Sequence, residues 1–201
     1  MQRREYELTE RTKEPQKRKV AWGISGAGDR LAEYVQIMKE LKQDYDKTVE
    51  IQVFVSKAGD TVLKFYNLEN EIKQSFPKFL VELNANSPFL AALMQMHKYE
   101  FLLIAPASSN TVAKIAYGIG DTMLTNATSM SLKAFASVYV VPVDYEEKTI
   151  MTKLPNGKDM KLRIRKEDAE NVRRLELMQD MHVLSDPQKI RDVFQEWFTK
   201  A

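Results

Sequence analysis

Residues Phe101–Gly120 read FLLIAPASSNTVAKIAYGIG. The opening residues close a nearly continuous apolar run, Tyr99–Ala105, of the kind found in a parallel-sheet strand covered on both faces. Pro106 then fixes one backbone angle where the chain must turn. From Asn110 to Gly118 apolar residues return at helical spacing, and Gly118 or Gly120 stops the helix. Between strand and helix lie Ser108, Ser109, Asn110 and Thr111. These are all capping-type residues, and there are more of them than one helix start needs. In an open α/β sheet, ligands sit beyond the carboxyl ends of the strands. The surplus therefore points to a ligand. Neutral groups of this kind suit a phosphate held by backbone N–H groups, or a heteroaromatic ring read by hydrogen bonds.

The same rhythm extends outward in both directions. Val20–Ile24 is a short apolar strand followed by the turn SGAGD, and Leu31, Tyr34, Val35, Met38 and Leu41 mark a helix from Arg30 to about Leu41. VEIQVFVS, Val49–Ser56, is a second strand, and KAGDTVLKFY enters another helix. Pro77, Asn84, Asn86 and Pro88 break residues 67–88 into short helices and loops, after which PFLAALMQM is helical. Asp121–Ala134 is a further helix and Ser137–Val143 a further buried strand. Alternating strands and helices mean an α/β domain with a mostly parallel sheet. The rhythm breaks at residues 149–165, where two strand-like runs flank Asn156-Gly157, the signal of a type I′ hairpin. A helix from Lys166 to about Met181 follows, then a last helix with Ser185 as its cap and Pro187 in its first turn.

The chain has 201 residues, a formal net charge of +2, two histidines and no cysteine. The length allows one domain, read as residues 20–201, behind a charged and mobile tail, residues 1–19. The near-neutral charge gives no overall pull toward nucleic acid, and no apolar run is long enough for a bilayer. A cytoplasmic protein is the expectation. Lack of cysteine excludes a thiolate metal site, a Cys nucleophile and a Cys-ligated iron–sulfur cluster from this chain.

Two more strand-to-helix junctions carry ligand-type sequences. GISGAGD, Gly23–Asp29, could cradle a phosphate or simply form a tight turn. It is not the dinucleotide fingerprint: the third glycine would fall at Leu31, and the second strand ends in Ser56-Lys57 rather than an acidic residue. Ser56 and Lys57 suit a polar or anionic ligand edge, or a plain helix start.

APASSNTVAKIAYGIGDTMLTNA resembles the PASANT segment of the homo-oligomeric flavin-containing Cys decarboxylase family. GISGAG and VSKAG stand where that family has its other FMN contacts, and the likeness runs over Val20–Val143. NGKDMKLRIRKEDAENVRRLELMQDMHVLSDPQKI resembles the archaeoflavoprotein branch, related to the flavin-dependent dihydromethanopterin reductases. The resemblance implies a flavodoxin-like, Rossmann-type three-layer αβα sandwich with a C-terminal hairpin and helices. It implies FMN at a subunit interface of a homo-oligomer built on trimers, the dodecamer being one such form. By position, Gly23, Ser25 and Gly26 lie near the flavin, Ser56 bonds it from the second strand, and Ser108, Ser109, Asn110 and Thr111 take the PASANT role. Lys57 is a tuner of reduced flavin or a surface lysine. Asn126 stands where prenyltransferase relatives carry a flavin-contacting Arg.

Two departures bear on mechanism. Ala91-Ala92 fall where the decarboxylases carry their catalytic His, and their PxMNxxMW clamp is replaced by PVDYEEKT. His97 and His182 read as packing or edge residues, and no side chain is assigned as catalytic. The resulting expectation is an FMN flavoprotein that takes electrons from a ferredoxin or similar iron–sulfur protein and passes them to an acceptor. The alternatives are an FMN-dependent pterin reductase, a decarboxylase of peptidyl or pantothenoyl cysteine, and a nucleotide-binding module without redox chemistry.

Overall fold

The computed structural model describes residues 16–154 and 156–199. Six parallel strands form one sheet: β1 (Arg18–Ile24), β2 (Val49–Val55), β3 (Phe79–Val81), β4 (Leu102–Ala107), β5 (Val138–Pro142) and β8 (Met181–Val183). Their spatial order is β3-β2-β1-β4-β5-β8. A separate antiparallel ribbon pairs β6 (Thr149–Lys153) with β7 (Asp159–Arg163). This is the flavodoxin-like, three-layer αβα sandwich with an added hairpin that the sequence implies. Chain order reverses between β1 and β4, which makes that junction the switch point where a doubly wound sheet opens a crevice.

Alternating side chains of each strand feed two cores. Val20, Trp22 and Ile24 face one way and pack with α1 (Leu31–Asp44), α2 (Lys57–Phe65), α3 (Glu69–Ser75) and α8 (Lys189–Phe198). Ala21, Leu102 and Ile104 face the other, against α4 (Leu90–Gln95), α5 (Ser109–Ala116), α6 (Met123–Lys133) and α7 (Lys166–Glu176). Both faces of the central strands are buried, which is why their sequences run apolar rather than alternating.

The structure differs from the sequence reading in several places. The reading of residues 1–19 as a mobile tail falls mostly outside the described residues, but β1 already begins at Arg18. There the guanidinium pairs with Glu100 at 2.9 Å and bonds the Trp197 carbonyl at 2.7 Å. Strand β3 stands within the stretch expected to hold only helices and loops, and its register is set by pairing with β2. The helix expected to reach Met181 ends at Glu176, because Met181–Val183 pairs with β5 as an edge strand. Asp186, not Ser185, caps the turn before α8: its carboxylate accepts from the Gln188 N–H at 2.8 Å. Pro106 lies inside β4 rather than at a turn after it, across a shift in the β4–β5 register. The ribbon loop spans three residues, not two. Leu154 N–H donates to Lys158 O at 2.9 Å, Gly157 N–H donates to Leu154 O at 2.8 Å, and Gly157 has φ of +81°. That is a turn followed by a left-handed glycine, the usual three-residue solution.

Candidate functional site

The loops after β1 and β4 are stitched together at the switch point. The Ser25 hydroxyl donates to the Pro106 carbonyl at 2.9 Å and accepts from the Ser108 N–H at 2.8 Å. Ser25 is buried, so both bonds are made away from competing water. Gly26 sits against the third loop: a Cβ there would lie 2.6 Å from Ala58 Cβ. Only glycine lets these loops approach so closely.

Ser108 caps α5. Its hydroxyl accepts from the Thr111 N–H at 3.3 Å and lies 3.1 Å from the Thr111 hydroxyl. Ser109 turns the other way and donates to Asp144, which follows β5. The Ser109 and Asn110 N–H groups, in the first turn of α5, have no protein partner among the described residues. The positive end of the helix and two free donors thus open onto the crevice. The Asn110 side chain is exposed there and has no hydrogen-bond partner among the described residues. Ser56 caps α2, accepting from the Gly59 N–H at 3.0 Å, and is itself buried.

Two cavities meet at these residues, both lined by Gly26, Ser108 and Asn110. One, of about 410 Å³, adds Ser56, Lys57, Thr111 and Glu82. The other, of about 350 Å³, adds Ser109 and Asp144 and runs beneath the ribbon. The ribbon's alternation decides what it presents. Ile150 pairs with Leu162 and Thr152 with Met160, and all four line this cavity. Two hydrogen bonds hold the ribbon down: Thr152 Oγ1 to Asp29 Oδ1 at 2.9 Å, and Tyr66 OH to Lys153 O at 3.0 Å.

Gly26, Ser56, Lys57, Ser108, Ser109, Asn110 and Thr111 are therefore brought to one crevice. Gly23, Ser25 and Asn126 stand behind it. Gly23 is buried within β1, and a Cβ there would meet Leu124 at 2.8 Å. Asn126 Nδ2 donates to Ala85 O and Asn86 Oδ1, each at 3.0 Å. His97 is exposed at the end of α4, and His182 stacks on Tyr139 with centroids 4.7 Å apart.

Two carboxylates in the crevice wall escaped the sequence reading. Glu82 is buried and accepts from the Lys57 and Met123 N–H groups, each at 3.1 Å, bridging the starts of α2 and α6. It could have been found only by recognising β3, since it follows that strand directly. Asp144 follows β5 and obeys the same strand-end rule that singled out Ser108. Burial holds the Asp144 carboxyl above the usual carboxylate range; Asp168 and Asp29 push the same way, and the Ser109 hydroxyl opposes them.

A phosphate end fits the free N–H groups of α5. A planar polar ring fits the neutral donors and acceptors beside them, under an apolar ribbon face. The family model "Flavoprotein" matches residues 8–194. An uncharacterised protein of Methanocaldococcus jannaschii is 44% identical over 87% of this chain and 93% of its own length. Dihydromethanopterin reductase (acceptor) of the same organism is 30% identical over 88% of this chain and 95% of its own length. Among solved structures, DmrB of Burkholderia xenovorans in complex with FMN, described as a cubic protein cage for redox transfer, superposes with a TM-score of 0.76. That match is 27% identical and covers 90% of this chain and 96% of DmrB. With nearly the whole chain matched by sequence and by fold, and the crevice standing at the switch point, this protein belongs to the flavoprotein family.

Proposed function

We propose that the chain binds FMN in the switch-point crevice and transfers electrons, taking them from an iron–sulfur protein such as a ferredoxin and passing them to an acceptor held beneath the ribbon. The observation that carries this reading is the pair of free N–H groups at Ser109 and Asn110, opening onto a crevice lined by Gly26, Ser56, Ser108 and Thr111. When bound, FMN supplies the redox chemistry, and the protein supplies binding, orientation and electrostatics. The first turn of α5 holds the phosphate, with Asn110 and Thr111 beside it. Ser56 bonds an edge of the ring while keeping its cap. Ile150, Met160 and Leu162 exclude water above it. No side chain is needed as acid or base for electron transfer alone. The sequence has no cysteine, so a Cys-ligated cluster belongs to the donor.

A homo-oligomer built on trimers accompanies this reading. DmrB forms a cubic cage, and a cube has threefold axes. Among the described residues, most large apolar side chains left more than half exposed flank α4–α7: Leu83, Phe89, Met96, Tyr117, Phe135 and Leu177. One helical layer is thus far more apolar outside than the other, as a face covered by further copies would be.

The first test is the visible spectrum of the purified protein, followed by FMN titration of the apo form. Flavin absorption with about one FMN per chain is expected. Asn110→Ala should bind FMN more weakly by about 1–3 kcal/mol, the cost of a partner left unpaired. A colourless protein that ignores FMN would overturn the reading, and an Asn110→Ala variant of unchanged affinity would remove Asn110 from the site.

A second reading, reduction of a dihydropterin, is favoured by the cavity beneath the ribbon. Carboxylates of Asp29 and Asp144 there face an apolar roof, an arrangement suited to an amino-substituted ring. Turnover of a dihydropterin by the FMN-loaded protein would select this reading, and its absence would leave the carrier.

A further inference from the structure

The inner face of the ribbon is accounted for by the crevice, but the outer face is not. Strand alternation puts Thr149, Met151 and Lys153 of β6 outward, opposite Arg163, Lys161 and Asp159 of β7. Lys158 stands at the loop. Lys153 pairs with Asp159 at 2.9 Å. Among the described residues no carboxylate pairs with Lys158, Lys161 or Arg163. Elsewhere on the surface some lysines are paired: Lys39, Lys64, Lys73, Lys114 and Lys148 each hold a carboxylate at 2.9 Å or less. Four cations to one anion on a single ribbon is a strong local excess in a chain of net charge +2. At its centre lies Met151, 63% exposed. An apolar centre with a charged rim is the anatomy of a protein-docking patch.

Position completes the argument. A body resting on the outer face is separated from the crevice by the ribbon and its inward side chains, about 10 Å of packed protein. We infer that the outer face of the β6–β7 ribbon is the docking surface for the acidic iron–sulfur protein that delivers electrons to this chain. The inference rests on the donor assignment proposed above and adds the place of docking. In each encounter the reduced cluster loses one electron and the bound FMN gains it. Two encounters, with two protons from water, complete the reduction. Complementary charge steers the encounter and raises its rate, while Met151 supplies the dry contact. A nucleic acid or an anionic lipid surface would also be drawn to cations. The small extent of the patch, its exposed methionine and its place over the crevice favour a protein.

The test follows the rate of flavin reduction in the FMN-loaded full chain, using a chemically reduced acidic ferredoxin, at rising salt. Lys161→Glu/Arg163→Glu is compared with Lys47→Glu, a control before β2 at the far end of the strands. The expected result is a rate that falls about tenfold or more with the double reversal, and that also falls as salt rises. FMN affinity and reduction by dithionite should stay unchanged, and the control should behave as wild type. Rapid reduction that the double reversal leaves unchanged, with or without a salt dependence, would overturn the docking site and keep the donor. No reduction by ferredoxin, with dithionite still effective, would sink the donor assignment and the docking site with it. Binding of duplex DNA or anionic vesicles, lost in the double variant and without any ferredoxin effect, would assign the face to that partner instead.

Discussion

Asp144 shows how a single side chain can oppose the fold that places it. It is half-buried, bonded by Ser109, and close to two further carboxylates. Its folded pKa lies above the ordinary 3.8, so the fold favours its neutral form. That contribution is fully present below the unfolded pKa and is lost as pH rises through the folded value. At neutral pH the ionised group is therefore a liability, and Asp144→Asn should raise the thermal midpoint. The gain should shrink on acidification below the ordinary carboxylate value. Thermal unfolding at both pH values checks this, and a gain independent of pH would show that charge is not its cause. Ser56 and Ser108 were legible in the sequence because each stands where a strand ends and a helix starts. Glu82 was not, because the strand before it is three residues long and hidden among Pro77, Asn84 and Asn86. Ser25 was expected near the ligand only by position, and it stands behind the crevice, holding two of its loops together. Its two bonds run to backbone groups of β4 and the loop after it, a partnership no local pattern records.

At the scale of elements, α7 combines a readable start with an unreadable end. Asp168 accepts from the Arg165 N–H at 3.2 Å and from its guanidinium at 2.6 and 2.9 Å. The Arg165 guanidinium holds its carboxyl below the usual range. Asp168→Ala should cost about 1 kcal/mol, the scale of a helix cap. Because the folded pKa is depressed, the loss should be seen above the unfolded pKa of about 3.8 and fade as pH falls through the folded value. Denaturant unfolding across that range measures it; an equal loss at low pH would assign the effect to packing. The other end of α7 carries no glycine or proline to stop it. Asp180, at φ of +61°, and the pairing of Met181–Val183 with β5 override the helical pattern. Long-range pairing of this kind leaves no mark in a local window. The ribbon was legible through Asn156-Gly157, but its loop length was not, since the same pair serves two-residue and three-residue turns.

For the whole molecule, the alternation of apolar strands with amphipathic helices was enough to give the layers, because parallel crossovers leave few other arrangements. Assembly was not legible from that alternation, since outward apolar residues such as Leu83 and Phe135 sit in loops with no period. Light scattering should give a mass that is a multiple of three chains; a monomer at micromolar concentration would refute the trimer. One further consequence concerns direction. Three helix starts face the crevice, and Glu82 already occupies two of them. On the proposed FMN reading, a doubly charged phosphate end is favoured at the open start of α5 and disfavoured at the two starts that Glu82 occupies. On that reading the molecule is a keyed socket, in which one heading of the guest is favoured over the reverse.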